Sequence, residues 1–590
     1  MRKSLALPAI AVVTAVAAVL RVAGADFGLP AIYNPDEVAI MNRTMALAPN
    51  RLNPGNFLYP SFYFYALFAW EGLLFVAGWL AGRFESLAAF EREFFADPSV
   101  HYYAGRLLSA VAGTLTVVVT WRFGRRLFGP IGGLSAAALM AVAPLAVRDA
   151  HYVKHDVPVT LLVVLTHVVL ARLLLAPGHG VDAGTMTSQW WRWLAADGRR
   201  GWWLAGLLAG LSFSTHYYAL FVFVPLVAAA MLPQTPGERL RARAMRTATT
   251  LLVAAAAFVA ASPFLPLELE TAWRDIVANR QIVVDRATTS GGLFASMGFY
   301  LSWLVRDASG TLAALLAIAG LLYVARTTDV RRVLLALGFP VAFILFMANT
   351  VPASRYLNPV LPFVAVLGGG AVAWLAAGGR GRRLAAAAAL VAACLEAGTA
   401  SVHTVRFFGR DDTRTLALRW FEEHVAPETS VLIQPYSVPL RQSRESLREA
   451  LVEHLGSAGR ASIRFQRQLA LDPYPEPAYR TIFLGSGGLD VDRIYVDPAE
   501  FGRTGNLEPL RQLGVTHVVM KRYNVPDPVM TALEAALARE GSLEATFSPY
   551  RTDVSEAGQR EVAPFLHNTD ARIDPALERP GPIIDVWIID

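Results

Sequence analysis

Arg148-Asp149-Ala150-His151-Tyr152-Val153-Lys154-His155-Asp156 sets six charged or imidazole side chains between two apolar runs, one ending at Val147 and one beginning at Val157. Ionisable groups at the edge of hydrocarbon are costly unless paired or hydrated, so a segment of this kind lines a cavity or a substrate path. Working outward, apolar stretches long enough, or nearly so, to cross ~30 Å as helices recur from Leu5 to about His403. Of 590 residues, 54% are hydrophobic and 17% charged, which excludes an ordinary soluble chain. The 53 basic and 47 acidic residues leave a formal charge of +6, and their distribution among loops implies no nucleic-acid partner. Cys394, the only cysteine, lies in an apolar run. A disulfide framework, a cysteine zinc site and a CxxC redox motif are thereby excluded.

The basic residues set the orientation, because Lys and Arg near helix ends stay cytoplasmic during insertion. They cluster at Arg2 and Lys3; Arg122, Arg125 and Arg126; Arg192, Arg199 and Arg200; Arg239, Arg241, Arg243 and Arg246; Arg326, Arg331 and Arg332; and Arg380, Arg382 and Arg383. The intervening loops carry Asp36 and Glu37, Asp149 and Asp156, Glu268 and Glu270, and Arg355 with Tyr356, and so share the outer face. An even number of crossings must separate the N-terminus from Arg125, yet three apolar stretches lie between them. Phe57 to Gly82, with Tyr59-Pro60, the string Phe62, Tyr63, Phe64, Tyr65 and a central Glu71, is therefore expected to be interfacial or re-entrant. About eleven spanning helices remain, with a long first outer loop over about 25–103. Met1 to Ala25 also has the outline of a cleaved signal peptide, but Arg21 and the parity of the loops favour a retained helix.

Past His403 the composition turns soluble. Ser430 to Gln434, His517 to Met520 and Ile583 to Ile589 read as strands, and Asp412 to His424 as an amphipathic helix. The expected fold class is a polytopic α-helical membrane protein over 1–403 with an extracytoplasmic α/β domain over 404–590. Neither an internal repeat nor a low-complexity tract interrupts it.

Among candidate functional residues, Asn34-Pro35-Asp36-Glu37 stands first. An acidic pair after a proline is by itself an ordinary helix cap or solvated loop, but here it shares the outer face with the 148–156 segment. Lys154, one of three lysines with Lys3 and Lys521, is read either as a headgroup snorkel or as a site cation. His216, in Ser214-Thr215-His216-Tyr217-Tyr218, has a structural reading beside the functional one. Arg355 and Tyr356 open a segment broken by Pro352, Pro359 and Pro362, where a guanidinium suits an anionic lipid head. Asp411, Asp412, Arg414 and Arg419 read as helix-start and helix-face charges. The tail's Gly485, Gly487 and Gly488 are a weak signal. No metal-ligand spacing and no Walker-type phosphate loop is found. Carboxylates and cations facing one membrane-level cavity are the equipment for transfer from a phosphate-linked lipid: a base for the acceptor hydroxyl and cations for the departing phosphate.

In their order along roughly residues 1 to 435, these motifs resemble the protein O-mannosyltransferase-like glycosyltransferases of the GT-C superfamily, including relatives that modify lipid A and lipopolysaccharide. The resemblance is carried by the Pro-Asp-Glu loop, Tyr59 to Tyr65, Gly105 to Ala110, Gly124 to Gly129, His151 to Pro158, Gly210 to Tyr218 and Arg355 to Pro362. It implies an inverting sugar transfer from a polyprenyl-phosphate donor, on the extracytoplasmic face of the inner (plasma) membrane, to a glycan, lipid or protein hydroxyl. No metal or other cofactor is implied, and membrane lipids are the expected surroundings. Asp36 would be the general base, with Glu37 assisting or positioning it. Asp156, Lys154, His155, His216, Arg355 and Tyr356 would surround the donor and its phosphate, although His216 stands where relatives often carry lysine. The tail is unlike the β-trefoil insertion of the eukaryotic mannosyltransferases. A lipid or glycan transporter would also be rich in helices and buried charge, and a non-catalytic scaffold would leave Asp36, Asp156 and Arg355 unexplained.

Overall fold

The computed structural model describes residues 3–175, 198–284, 292–327, 329–488, 490–567 and 573–589; Arg2 and Arg192 of the basic clusters lie outside them. The chain divides into two compact units. One comprises Met1–Ala25, Asp36–Gly72 and Ala104–Val405; the other comprises Asp26–Pro35, Leu73–Tyr103 and Arg406–Asp590.

The first unit is helical. Seven described helices are long and apolar enough to cross a membrane, or eight if the bent pair Ala295–Ala308 and Thr311–Ala325 counts as one span. Two more apolar helices, Leu7–Val22 and Tyr217–Met231, are shorter. The chain is a multi-pass membrane protein, but the expected count of about eleven spans is not reached by this measure. Part of the gap is a matter of counting. Ser99–Ala141 is 43 residues long, or ~65 Å at 1.5 Å per residue, and it is interrupted at Gly129, whose φ of 78° is open to glycine and strained for other residues. Pro130 then restarts the helix. The basic Arg122, Arg125 and Arg126 thus sit on the helical turns before this break rather than in a loop. Phe62–Leu80 is a continuous 19-residue helix with the length and apolarity of a span, so its length lends no support to the interfacial reading.

Close packing uses small residues, as expected where lipid offers no hydrophobic drive between helices. Gly206 and Gly210, one turn apart, let the helix Gly198–Thr215 meet Leu240–Ala261 backbone to backbone; a Cβ on Gly210 would stand 2.2 Å from the Ala254 carbonyl oxygen. Arg21, fully buried, donates to the carbonyls of Met140 and Ala141 at 3.1 and 2.9 Å. It thereby satisfies carbonyl groups at a helix end that lack helical partners.

In the second unit, β1 (Ser430–Ile433), β2 (Arg480–Leu484), β3 (Ile494–Val496), β4 (His517–Arg522), β5 (Gly541–Phe547) and β6 (Ile583–Ile589) form one sheet in the order β3-β2-β1-β4-β6-β5. The first four strands are mutually parallel, while β6 runs antiparallel to both β4 and β5. Both faces of β1 are buried, Leu432 in one core cluster and Val431 with Ile433 in another, as parallel sheets require. The helix Thr413–His424 is capped by the Asp412 carboxylate, which accepts from the Arg414 backbone N–H.

Candidate active site

Proline has its φ preset for a helix start and loses no hydrogen bond at the first position. Pro35 accordingly opens the helix Pro35–Met45, and Asp36 and Glu37 fall in its first turn, where the helix dipole favours carboxylates. With 3.6 residues per turn, Asp36, Ile40 and Arg43 share one face, and all three line one cavity. Its other walls include Tyr59, which precedes the helix Phe62–Leu80; Lys154, His155 and Asp156, at the start of Asp156–Leu174; His216; and Arg355. Six residues singled out from sequence, Asp36, Lys154, His155, Asp156, His216 and Arg355, therefore meet in one place. Arg43 and Tyr59 join them unannounced.

Asp36 Oδ2 lies 3.0 Å from Lys154 Nζ, the carboxylate side chain being 46% exposed and the lysine only 10%. Burial pushes the Asp36 carboxyl up; the charges of Lys154 and Arg355 more than offset this, leaving it below the usual carboxylate value. It is therefore ionised at neutral pH and reachable from the cavity. Asp156, buried, accepts a hydrogen bond from the Tyr218 hydroxyl at 3.1 Å. His216 stacks on the Tyr218 ring at 3.6 Å, and its Nδ1 accepts from the Tyr218 backbone N–H at 3.3 Å, so a neutral His216 carries its proton on Nε2. His155 is packed among Tyr59, Tyr63 and Phe64 at 4.5, 4.6 and 5.2 Å between ring centroids.

Second-layer contacts fix these walls. Arg148 Nε bonds Asp149 Oδ1 at 2.8 Å and its Nη2 bonds Ser354 Oγ at 2.9 Å, while Asn358 Nδ2 reaches Asp149 Oδ2 at 2.6 Å and the Arg355 carbonyl at 3.0 Å. The turn carrying Arg355 is thus tied to the 148–156 segment. Phe57 N–H donates to Asp275 at 2.8 Å and Asn279 donates to the Leu58 carbonyl at 2.9 Å, holding the chain just ahead of Tyr59.

Two expected site residues are placed elsewhere. Glu37 is not at the cavity: it is fully buried, receives Arg106 Nε and Nη2 at 2.9 Å each, and accepts from Val153 N–H at 3.0 Å. Bonded to Arg106 and to the segment that carries Lys154, and without exposure, it stands where it can position rather than meet the reacting groups. Tyr356 lies behind Arg355, whose guanidinium carbon is 5.2 Å from the centre of its ring, and it does not line the cavity. Among the described residues, no group of three or more His, Cys, Asp or Glu is arranged to hold a metal ion.

Residues 95–179 match the family described as dolichyl-phosphate-mannose-protein mannosyltransferase. ArnT from Cupriavidus metallidurans bound to undecaprenyl phosphate superposes with a TM-score of 0.51 at 16% identity, covering 92% of this chain and 96% of that one. This chain has the GT-C fold. The apo state of the same ArnT gives 0.50 at 14% identity over 92% and 95% of the two chains. The Archaeoglobus fulgidus oligosaccharyltransferase in the apo form gives 0.50 at 12% identity over 100% and 89%. No protein of curated function matches at a significant level. The resemblance read from the ordered motifs is borne out to this extent: residues 95–179 match the mannosyltransferase family model, and the chain shares its fold with ArnT. The matched family segment contains the 148–156 stretch and hence Lys154, His155 and Asp156.

Proposed function

We propose that this membrane glycosyltransferase moves a sugar from a polyprenyl-phosphate donor to an acceptor hydroxyl on the extracytoplasmic face, with inversion. The observation that carries the reading is the cavity in which a half-exposed, ionised Asp36 faces Lys154, with Arg43, Arg355 and Asp156 on the remaining walls. Asp36 takes the acceptor proton as the acceptor oxygen bonds the anomeric carbon. The bond from that carbon to the phosphate oxygen breaks on the opposite side, and the polyprenyl phosphate departs with the electron pair. Phosphate is a good leaving group, so no protein acid is needed; Arg355 and Arg43 supply the fixed cations that meet its charge. Lys154 keeps Asp36 ionised before the acceptor arrives. Glu37 and Tyr356 act through Asp36 and Arg355, holding the helix start and the guanidinium in place.

The test is transfer of radiolabelled sugar from a panel of polyprenyl-phosphate sugars to membrane extracts by wild type and Asp36→Asn. The substitution keeps size and hydrogen bonding but removes basicity, so label should reach a lipid, glycan or protein fraction only with wild type. Near-normal transfer by the asparagine variant would rule Asp36 out as the base.

A further inference from the structure

The C-terminal sheet reverses its winding between β1 and β4. From β1 the parallel strands step outward to β2 and β3 on one side, and the chain then returns to place β4 on the other. At such a reversal the loops leaving the carboxyl ends of the two strands part, and the crevice between them is where open parallel sheets bind ligands. Here those loops are residues 434–437 after β1 and 521–524 at the end of β4.

The side chains at this edge are those of a site. Lys521 Nζ stands 5.3 Å from the ring centres of both Tyr436 and Tyr523. It donates to the Pro435 carbonyl at 2.6 Å, while the Lys521 backbone N–H donates to Gln434 Oε1 at 2.8 Å. The amine is thus fixed across the two loops. Among the described residues it has no carboxylate bonded to it. Burial, then the charge of Arg414, brings its pKa down to about 8, so at neutral pH it is still mainly a cation. The tyrosine residues are exposed, 65% at Tyr436 and 38% at Tyr523, and Tyr436 holds a φ of 65°, which is costly for a residue other than glycine. A tie between two loops needs the amine and the carbonyl, but neither exposed phenol rings nor a left-handed backbone. A cation with no carboxylate bonded to it among the described residues, Asp527 acting only through its charge, and flanked by aromatic faces suits a ring with an apolar face and an attached anion. Arg414, bidentate to Asp412 at 2.8 and 2.7 Å, lies 4.0 Å over the Tyr33 ring, and its charge is felt at Lys521 and Tyr523 as well. Tyr33 precedes Asp36 by three residues in the chain.

We propose that this crevice binds an anionic saccharide through Tyr436, Lys521 and Tyr523, and that the saccharide belongs to the acceptor, the last clause resting on the glycosyltransferase reading above. The test is saturation-transfer NMR on the full-length protein in detergent, with methyl glucuronide, methyl glucoside and inorganic phosphate as probes. Wild type should bind the glucuronide ~10-fold more tightly than the glucoside, the increment of a charge-assisted hydrogen bond. Lys521→Gln should erase that preference, and Tyr523→Ala or Tyr436→Asn should weaken both sugars; asparagine tolerates the left-handed backbone. Asp36→Asn should bind as wild type does. Equal affinity for the two glycosides, a preference that survives Lys521→Gln, or glucuronide binding lost in Asp36→Asn would overturn the site. Phosphate binding as tightly as the glucuronide would also overturn it, since recognition would then need no sugar. Unchanged thermal unfolding of each variant guards against misfolding. If no donor supports transfer while the glucuronide preference persists, the glycosyltransferase reading fails and the crevice stands.

Discussion

Glu37→Ala separates a strut from a catalyst. In the folded protein the Glu37 carboxylate holds two hydrogen bonds from Arg106 and one from the Val153 backbone, and neither charged side chain is exposed. Removing the carboxylate leaves the Arg106 guanidinium buried with the Ala25 carbonyl, 2.9 Å away, as a remaining partner, and leaves the Val153 N–H without its acceptor. Truncating one side of a buried pair costs about 3–5 kcal/mol, and at 1.4 kcal/mol per factor of ten the locally open state should be populated on the order of 10²- to several 10³-fold more often. Hydrogen exchange followed by mass spectrometry on peptides covering 36–45, 104–110 and 150–158 reads this directly. Amide protection in all three should fall together, and in Glu37→Gln, which keeps an acceptor oxygen, by less. Transfer activity should fall far less than it does in Asp36→Asn, because the closed state stays the major one. A Glu37→Gln variant with wild-type protection and the complete loss of transfer expected of Asp36→Asn would refute the strut and make Glu37 catalytic.

Lys154→Gln should move the acid limb of the kcat/KM profile to higher pH. The Asp36 carboxyl is held below its usual value, so its base form lasts into acid and is lost as pH falls through that lowered pKa; without Lys154 the upward push of burial is opposed less. An unmoved limb would disconnect Lys154 from the base. Arg43→Ala and Arg355→Ala should each weaken binding of the polyprenyl-phosphate sugar ~10-fold or more, as expected for a charged hydrogen bond, and the double variant should lose less than the sum if both hold one phosphate. Donor affinity unchanged in either single variant removes that residue from the phosphate. Gly210→Val should lower the unfolding midpoint, because a Cβ there would meet the Ala254 carbonyl oxygen at 2.2 Å; an unchanged midpoint would mean the two helices part without cost.

What could be read from sequence was whatever is expensive in its surroundings. Lys154, Asp156 and Arg355 stand out because charge beside hydrocarbon must be compensated, and the cavity supplies the compensation. Arg43 stays hidden while Asp36 and Glu37 are placed in a long outer loop; once Pro35 starts a helix, Arg43 falls on the face of Asp36 by spacing alone. Tyr59 was absorbed into an aromatic run whose composition spoke only of the membrane interface. For Glu37, adjacency to Asp36 leaves assisting and positioning both open, while the partner that sets its place, Arg106, lies 69 residues away. In the tail, β1, β4 and β6 are apolar and largely buried and so announce themselves, whereas β5 is a mostly exposed edge strand with burial on neither face and gives no alternation to detect.

The stretch from Asp26 to Pro35, read as part of an outer loop, folds with the C-terminal unit. Tyr33 and Asn34 are buried; the Tyr33 hydroxyl meets Thr415 Oγ1 at 2.6 Å and Asn34 Nδ2 donates to the His567 carbonyl at 2.8 Å. Phe27 stacks on the His567 ring at 4.5 Å between centroids. These partners are 382 and 533 residues away in the hydrogen-bonded pairs, beyond the reach of local pattern. Asp36 itself lies in the first turn of Pro35–Met45, next to the fully buried Glu37. A loop residue free to sample its φ and ψ would have to be ordered at each turnover, at about 1–2 kcal/mol per residue. A base that must meet an acceptor hydroxyl within hydrogen-bond reach gains from having that ordering done on folding.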